Sequence, residues 1–341
     1  MYKTSLVITT INNPNRNMRM YDMNCKKNNW DFIVVGDKKT PKNFQLLNAK
    51  YINYKKKIHN ISFSDKCPTN TYARKNIGYL YAIKNNSDII VETDDDNSPL
   101  ENFFSPFYLF SNAPTIHKKK DWINIYNYFV DKKDLNKIWP RGLPLEKITK
   151  SKDEIIIKKK KKKNLVIQSL CNGNPDVDAI FRLMNQNTKN FKFNKKKKFF
   201  VSKESYVPFN SQSTIWHKDV FPLLYLPVTC TFRATDIWRS LITQIILHSD
   251  GKNILFQSPT VFQDRNKHDL MKDFESEIPV YLESQKIINL LVGIKFKKGP
   301  KKYIDNLLLC YKKLIKNKIF IKEELFYLKA WISDFKRINF K

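Results

Sequence analysis

The N-terminal part of the chain alternates short apolar runs with segments of helical spacing. Residues 4–10, Thr-Ser-Leu-Val-Ile-Thr-Thr, read as a buried strand bounded by polar residues. Asn12-Asn13-Pro14-Asn15 is a turn, and a helix is expected from there to Asn28. Residues 31–36, Asp-Phe-Ile-Val-Val-Gly, form a second apolar strand, which Asp37-Lys38-Lys39-Thr40-Pro41 breaks. From about Thr69 to Asn85 the apolar positions Ala73, Ile77, Leu80, Tyr81 and Ile83 approach helical spacing. Ser87-Asp88-Ile89-Ile90-Val91 is a third strand and ends directly on an acidic run. Such alternation predicts an α/β sheet with parallel strands. Ligands of these sheets sit beyond the carboxyl ends of the strands. Three such ends carry polar loops here, at Thr9-Thr10, Gly36-Asp37 and Thr93 to Asp96.

The middle of the chain is less regular. Trp122 to Phe129 alternates like a strand, and Asn164 to Cys171 is another. The lysine runs Lys158 to Lys163 and Lys195 to Lys198 read as poorly ordered exposed loops or hairpin tips, because like charges repel. Phe199-Phe200-Val201 is strand-like. From about Leu270 the pattern turns helical, through Ile287-Ile288, Leu290-Leu291, Leu307-Leu308-Leu309 and Leu325 to Trp331. This predicts a C-terminal helical subdomain packed on an α/β body. No internal repeat is present.

Composition narrows the classes. The 341 residues suffice for one large domain or two modest ones, and 42% hydrophobic residues exclude disorder throughout. No window approaches the roughly 18 uninterrupted apolar residues of a membrane span. The opening residues lack a signal-peptide core, so a cytoplasmic chain is expected. Five scattered cysteines without C-x-x-C spacing argue against a disulfide framework or a zinc site. The formal charge of +30 comes from 62 Lys and Arg against 32 Asp and Glu, and only nine of the cations are Arg. A nucleic-acid surface mixes in more Arg. Lys, Asn and Ile share AT-rich codons, so base composition accounts for much of the bias. The rest leaves attraction to nucleotide phosphates, to an anionic glycan or to an anionic membrane surface touched peripherally. No specific nucleic acid is expected.

Chemistry concentrates at Glu92-Thr93-Asp94-Asp95-Asp96-Asn97. A buried strand delivers three carboxylates to a sheet edge, where a hard divalent cation finds oxygen ligands. The alternative is an acidic turn capping Ser98-Pro99. On the preceding helix, Arg74 and Lys75 could hold a diphosphate. The alternative is a solvated basic face, more natural for Lys75 than for Arg74.

These residues carry a family resemblance. Ala73-Arg74-Lys75-Asn76-Ile77-Gly78-Tyr79 followed by Glu92 to Asn97 resembles the STELLO-like glycosyltransferases. The resemblance continues through Trp139-Pro140-Arg141-Gly142-Leu143-Pro144, Asn172 to Leu183, Pro208 to Thr214, Leu226-Pro227-Val228, Arg233 to Arg239 and Asn266 to Leu270. It covers roughly residues 4 to 280. The plant members carry an N-terminal membrane anchor, which these residues lack. More distantly, Asp94-Asp95-Asp96, Arg141-Gly142-Leu143-Pro144 and Pro175 to Ala179 are similar to the reversibly glycosylated polypeptides, which act as UDP-arabinopyranose mutases.

The resemblance implies a GT-A fold, a Rossmann-like mixed α/β sheet flanked by helices. A catalytic domain would span residues 1–269, with a nucleotide-binding half of about 1–135 and an acceptor-side half of about 136–269. A helical subdomain would follow over 270–341. The implied ligands are a nucleoside diphosphate sugar and Mn²⁺ or Mg²⁺. Thr9, Thr10 and Asp37 would line the nucleoside pocket, unless they are ordinary strand-end polarity. Arg74 and Asp95 would sit at the donor. Asp94 and Asp96 would handle ribose and metal, with Asp96 the preferred ligand and His268 or His217 a candidate third one. A structural histidine is the alternative for both.

Asp236, near a helix start, would be the base that takes the acceptor's proton in an inverting transfer. The alternative is an N-cap. Asp176, Asp178 and Arg239 would meet sugar or acceptor, with helix capping open for the two acids. Arg141 would bind donor phosphate or be the residue to watch in a mutase.

The leading expectation is transfer from a nucleotide sugar, of UDP type, to a glycan or lipid-linked acceptor. The second is a nucleotide-sugar mutase. The third, from a different class, is a basic scaffold that binds polyanions.

Overall fold

A computed structural model describes residues 2–149, 152–185, 191–193, 197–264 and 269–339. β1 (Thr4–Thr10) is buried nearly throughout, as its apolar run predicts. α1 (Arg16–Lys27) follows, capped by Asn15, whose side chain accepts the Met18 N–H. β2 (Asp31–Gly36) pairs parallel to β1, and the short β3 (Lys50–Ile52) pairs parallel to β2. A single helical turn, α2 (Phe63–Lys66), and a 3₁₀ turn at Tyr72–Arg74 lead into α3 (Lys75–Lys84). Gly78 lets α3 lie flat on the sheet. A Cβ there would come 2.5 Å from Val7 Cγ1. β4 (Ile89–Thr93) then pairs parallel to the other side of β1. The order β3-β2-β1-β4, all parallel, is a Rossmann-like half.

The second half turns the sheet mixed. Its strands are β5 (Asn97–Pro99), β6 (Phe110–His117), β7 (Asp121–Trp122), β8 (Ile155–Lys163) and β9 (Val166–Gly173). After the short α4 (Ala179–Met184) come β10 (Lys198–Val201), β11 (Ser205–Tyr206), β12 (Ser213–His217), α5 (Thr235–Ser249) and β13 (Ile254–Gln263). The large sheet runs β3-β2-β1-β4-β12-β9-β13-β10-β6-β8, with β5 hydrogen-bonded to β13. β12 is antiparallel to both β4 and β9, and β13 is parallel to β9. β1, β4, β9 and β13 therefore end on one edge of the sheet.

Three helices close the chain: α6 (Leu270–Val292), α7 (Tyr303–Lys316) and α8 (Glu324–Asn339). Their apolar faces join α3 and α5 in one core that includes Ile287, Leu291, Leu307, Tyr311 and Trp331. Two buried acids fasten them. Asp334 accepts the Phe63 N–H at 2.6 Å and the Ser62 hydroxyl at 2.9 Å. Glu324 accepts the Tyr225 hydroxyl and the Val228 and Thr229 N–H groups. No helix among the described residues is long and apolar enough to cross a membrane.

Two sequence expectations fail here. Trp122 to Phe129 is not a strand. Only Asp121–Trp122 pairs, and Ile125–Tyr128 winds into a 3₁₀ helix. That segment is buried on all sides, so its alternation does not report a half-exposed strand. The run Lys158 to Lys163 is not a loop either, but most of β8. Ile155-Ile156-Ile157 lead it into antiparallel pairing with β6, and at a sheet edge the lysine chains reach water without breaking the backbone ladder. In the second run, Lys195 and Lys196 lie outside the described residues, and Lys198 opens β10.

Candidate functional site

The shared edge of β1, β4, β9 and β13 opens into a cleft of about 420 Å³. Thr9, Thr10, Asp37, Arg74, Asp94, Asp95, Asp96, Arg141, Asp176 and Asp236 all line it. The sequence therefore located most of the site, but several of these residues do other work than expected.

The acidic run leaves β4 and divides its roles. Asp95 accepts from the Thr10 hydroxyl and from Asn12 Nδ2 at 3.1 Å, which ties the run to the end of β1. Burial raises its pKa, with those bonds opposing the rise. Asp94 Oδ1 accepts from Lys75 Nζ at 2.9 Å and from the Tyr72 hydroxyl at 2.6 Å. Lys75 is wholly buried and also donates to the Thr93 carbonyl at 2.8 Å, so the solvated basic face expected for it is wrong. Its neighbours are all acceptors, and they compensate the charge that burial strands there.

Asp96 is the open member. Its Oδ2 accepts from Gln263 Nε2 at 2.9 Å, while its buried Oδ1 has no partner. Burial, followed by the charge of Asp94, pushes its pKa up to about 7. A buried carboxylate oxygen without a donor is costly unless a cation or proton meets it. The residues fit a divalent cation on this count. Among the described residues no three His, Cys, Asp or Glu side chains converge as a metal cage. Asp96 with its neighbour Asp94 would thus hold Mn²⁺ or Mg²⁺, leaving positions for ligand phosphates and water. His268 lies outside the described residues. His217 is structural: it accepts the Asp219 N–H, caps the 3₁₀ helix Lys218–Leu224 and stacks on Phe107.

On the nucleoside side, Asp37 accepts the Lys38 N–H at 2.6 Å and the Asn70 N–H at 2.8 Å, which holds two loops together at the cleft wall. Arg74 is buried, with Nε donating to the Gly36 carbonyl at 3.1 Å and Nη1 reaching the Cys67 and Pro68 carbonyls. It shapes the wall from behind as well as facing the cleft.

Across the cleft stands a second charged cluster. Gly142, with φ +90°, turns the loop after Arg141, and a Cβ there would meet Ile237 Cγ2 at 2.5 Å. Arg141 is thereby seated against α5. Its Nε and Nη2 reach the two Asp176 oxygens at 2.9 and 2.8 Å. Its Nη1 and Nη2 reach the two Asp236 oxygens at 3.0 and 3.1 Å. Nη1 also donates to the Arg233 carbonyl. A guanidinium shared between two carboxylates does not stand free for a donor phosphate, which corrects that expectation.

Asp236 lies in the first turn of α5, but the N-cap position belongs to Ala234, so the capping alternative fails. Asp236 also accepts the Ser211 N–H and hydroxyl, both at 3.1 Å. Burial would raise its pKa, but the charge and hydrogen bonds of Arg141 outweigh this and hold it at about 2. In this arrangement Asp236 is a fixed anion and a feeble base.

Two expected acceptor residues are elsewhere. Asp178 is the N-cap of α4, accepting the Phe181 N–H at 2.7 Å and Trp139 Nε1 at 2.7 Å, and it is fully buried outside the cleft. Arg239 is sealed in the core, bidentate to Glu92 at 2.7 and 3.0 Å and stacked over Trp216. α5 carries both Asp236 and Arg239, and the helical turn between them sends one to the cleft and the other to the core.

Sequence reading missed Tyr72, Asn210, Gln212, Phe232 and Gln263 as lining residues. Tyr72 matters most. Its hydroxyl touches both Asp94 and Ser211, and Ser211 bonds Asp236, so one hydrogen-bonded chain crosses the cleft floor. Phe232, 59% exposed, meets Tyr72 edge-on at 5.4 Å and forms an aromatic wall. Nothing in their local sequence marks them. They become a site only when the loop before α5 folds over the end of β4.

Comparison with known proteins agrees with the residues. The family model described as STELLO glycosyltransferases matches residues 233–341. Two Arabidopsis thaliana proteins, named Probable glycosyltransferase STELLO2 and Probable glycosyltransferase STELLO1, are 22% and 23% identical over 92% of this chain. The chain spans 42% of the length of each of these relatives. A solved chain described as "Crystal Structure of a Mycobacterial Protein" superposes with a TM-score of 0.43 at 9% identity, covering 83% of this chain and 74% of that one. The chain is STELLO-like over nearly all its length.

Proposed function

We propose that the protein is a metal-dependent glycosyltransferase that takes a sugar from a nucleoside diphosphate sugar, of UDP type, and delivers it to a glycan acceptor. The observation that carries the reading is the unpartnered, buried Oδ1 of Asp96 at the carboxyl edge of a Rossmann-like sheet. Likeness to proteins named as glycosyltransferases supports it.

Each part of the cleft then has a task. The ends of β1 and β2, with Thr9, Thr10 and Asp37, would receive the nucleoside. Asp96 and Asp94 would hold the cation, which offsets the charge of the departing diphosphate. Tyr72 and Ser211 would fix the distance between that subsite and the Arg141–Asp176–Asp236 cluster, where the sugar and acceptor would meet. For Asp236 to accept a proton, Arg141 must first swing toward Asp176 alone. That makes Arg141 the residue that sets the timing of an inverting transfer.

Calorimetric titration with UDP, with and without Mn²⁺, tests the reading on wild type and Asp96→Ala. Metal-dependent binding that the variant loses is the expected result. Absence of binding to UDP and to GDP with metal present would sink the donor site.

A further inference from the structure

β8 closes one end of the large sheet, and its outer edge pairs with no strand among the described residues. Two of its lysines are engaged locally. Lys163 pairs with Asp219, and Lys162 donates to the Thr115 hydroxyl while lying over the Phe200 ring. Lys158, Lys159, Lys160 and Lys161 are exposed and have no carboxylate partner among the described residues. On the same strand Ile155, Ile156 and Ile157 are 53%, 55% and 40% exposed. Tyr108 and Phe110, at the start of the paired strand, are exposed as well.

Lysines on an edge strand commonly serve to block edge-to-edge pairing. That explains the charges but not three solvent-facing isoleucines on one strand beside them. An uncompensated row of ammonium groups running into a branched apolar patch matches a surface that is anionic at its face and apolar just beneath. The cations are all lysine, whose compact, hydrated charge suits diffuse attraction to headgroups rather than bidentate reading of single phosphates.

We propose that β8 is a docking edge for an anionic lipid bilayer. The lysines meet the headgroups, and Ile155, Ile156 and Ile157 enter the boundary beneath. This rests on the sheet edge alone and is independent of the glycosyltransferase reading.

Co-flotation with vesicles of phosphatidylcholine, alone or mixed with phosphatidylserine, tests it on the full chain. Wild type should float only with the serine-containing vesicles. Replacing Lys158, Lys159, Lys160 and Lys161 with Gln together should weaken that binding about a hundredfold. Changing Ile155, Ile156 and Ile157 to Ser should weaken it in high salt, where the electrostatic part is already screened. A control with the same charge change, Lys295, Lys298, Lys301 and Lys302 to Gln, should keep wild-type binding. Unchanged thermal melting of every variant shows that the fold is intact. Equal loss in the control would overturn the proposal in favour of overall net charge. Self-association of the β8 lysine variant with bilayer binding intact would overturn it in favour of edge protection. Equally tight, equally β8-dependent binding to duplex DNA at the same salt would overturn the lipid assignment.

Discussion

Lys75 Nζ lies 2.9 Å from Asp94 Oδ1, and the lysine has no exposed surface. A resident cation is therefore built into the acidic run before any metal arrives. It takes one of the Asp94 oxygens, which leaves Asp96 as the carboxylate with an open position. Losing the cation while keeping the carboxylate should be costly. Lys75→Met is expected to lower stability by about 2–4 kcal/mol, somewhat less than a fully sealed pair because Asp94 is partly exposed. Urea denaturation checks this. A loss near zero would mean that Lys75 is neutral in the fold.

Asp96 gives a pH signature. Its folded pKa of about 7 lies above the ordinary 3.8, so the folded chain keeps a proton that the unfolded chain has released. The contribution to stability therefore falls as pH rises from 3.8 to about 7 and is level above that. Asp96→Asn should flatten this slope and make the metal-free protein roughly 1–3 kcal/mol more stable at alkaline pH. The same proton opposes a cation, so Mn²⁺ affinity should rise about tenfold per pH unit up to the pKa and then level off. Denaturation and metal titration across pH, each with and without the substitution, read the two effects separately.

Arg141 serves two buried carboxylates at once. Arg141→Ala should cost about 3–5 kcal/mol, because Asp176 and Asp236 are left facing each other unpaired. Arg141→Lys should recover only part of that loss, since an ammonium cannot bridge both carboxylates in a bidentate way. Asp236, held at about 2, adds stability that is complete above the ordinary 3.8 and fades as pH drops toward 2. Asp236→Asn should remove that acid limb from the stability profile.

Asp176 and Asp178 stand two residues apart and should separate cleanly. Asp178→Ala removes an N-cap and a Trp139 partner, and a stability loss of about 1–2 kcal/mol with unchanged UDP binding is expected. Asp176→Ala should change ligand binding, because it lines the cleft and releases Arg141. Arg239→Met should destabilise without altering the affinity of the folded protein for UDP. A binding defect there would mean that the core ion pair with Glu92 shapes the cleft after all.

Periodicity alone was enough for β1, β2, β4, α1 and the C-terminal helices, since a buried run or an apolar stripe is a local property of the chain. It misjudged Trp122 to Phe129, whose surroundings bury every side, and the lysines of β8, whose pairing depends on a distant partner strand. The acidic run was legible as a candidate site because a strand end, three carboxylates and a sheet edge all lie within a few residues.

By itself, then, the sequence determined an α/β body with its ligand edge, and the residues that would gather there. Only the tertiary structure decided what each charge does. Lys75 meets Asp94, Arg141 meets Asp176 and Asp236, and Arg239 meets Glu92 across separations of 19 to 147 residues. Whether a carboxylate is base, ligand, cap or counter-ion depends on which partner reaches it and how much water remains. Those are properties of packing between elements, and no local pattern encodes them.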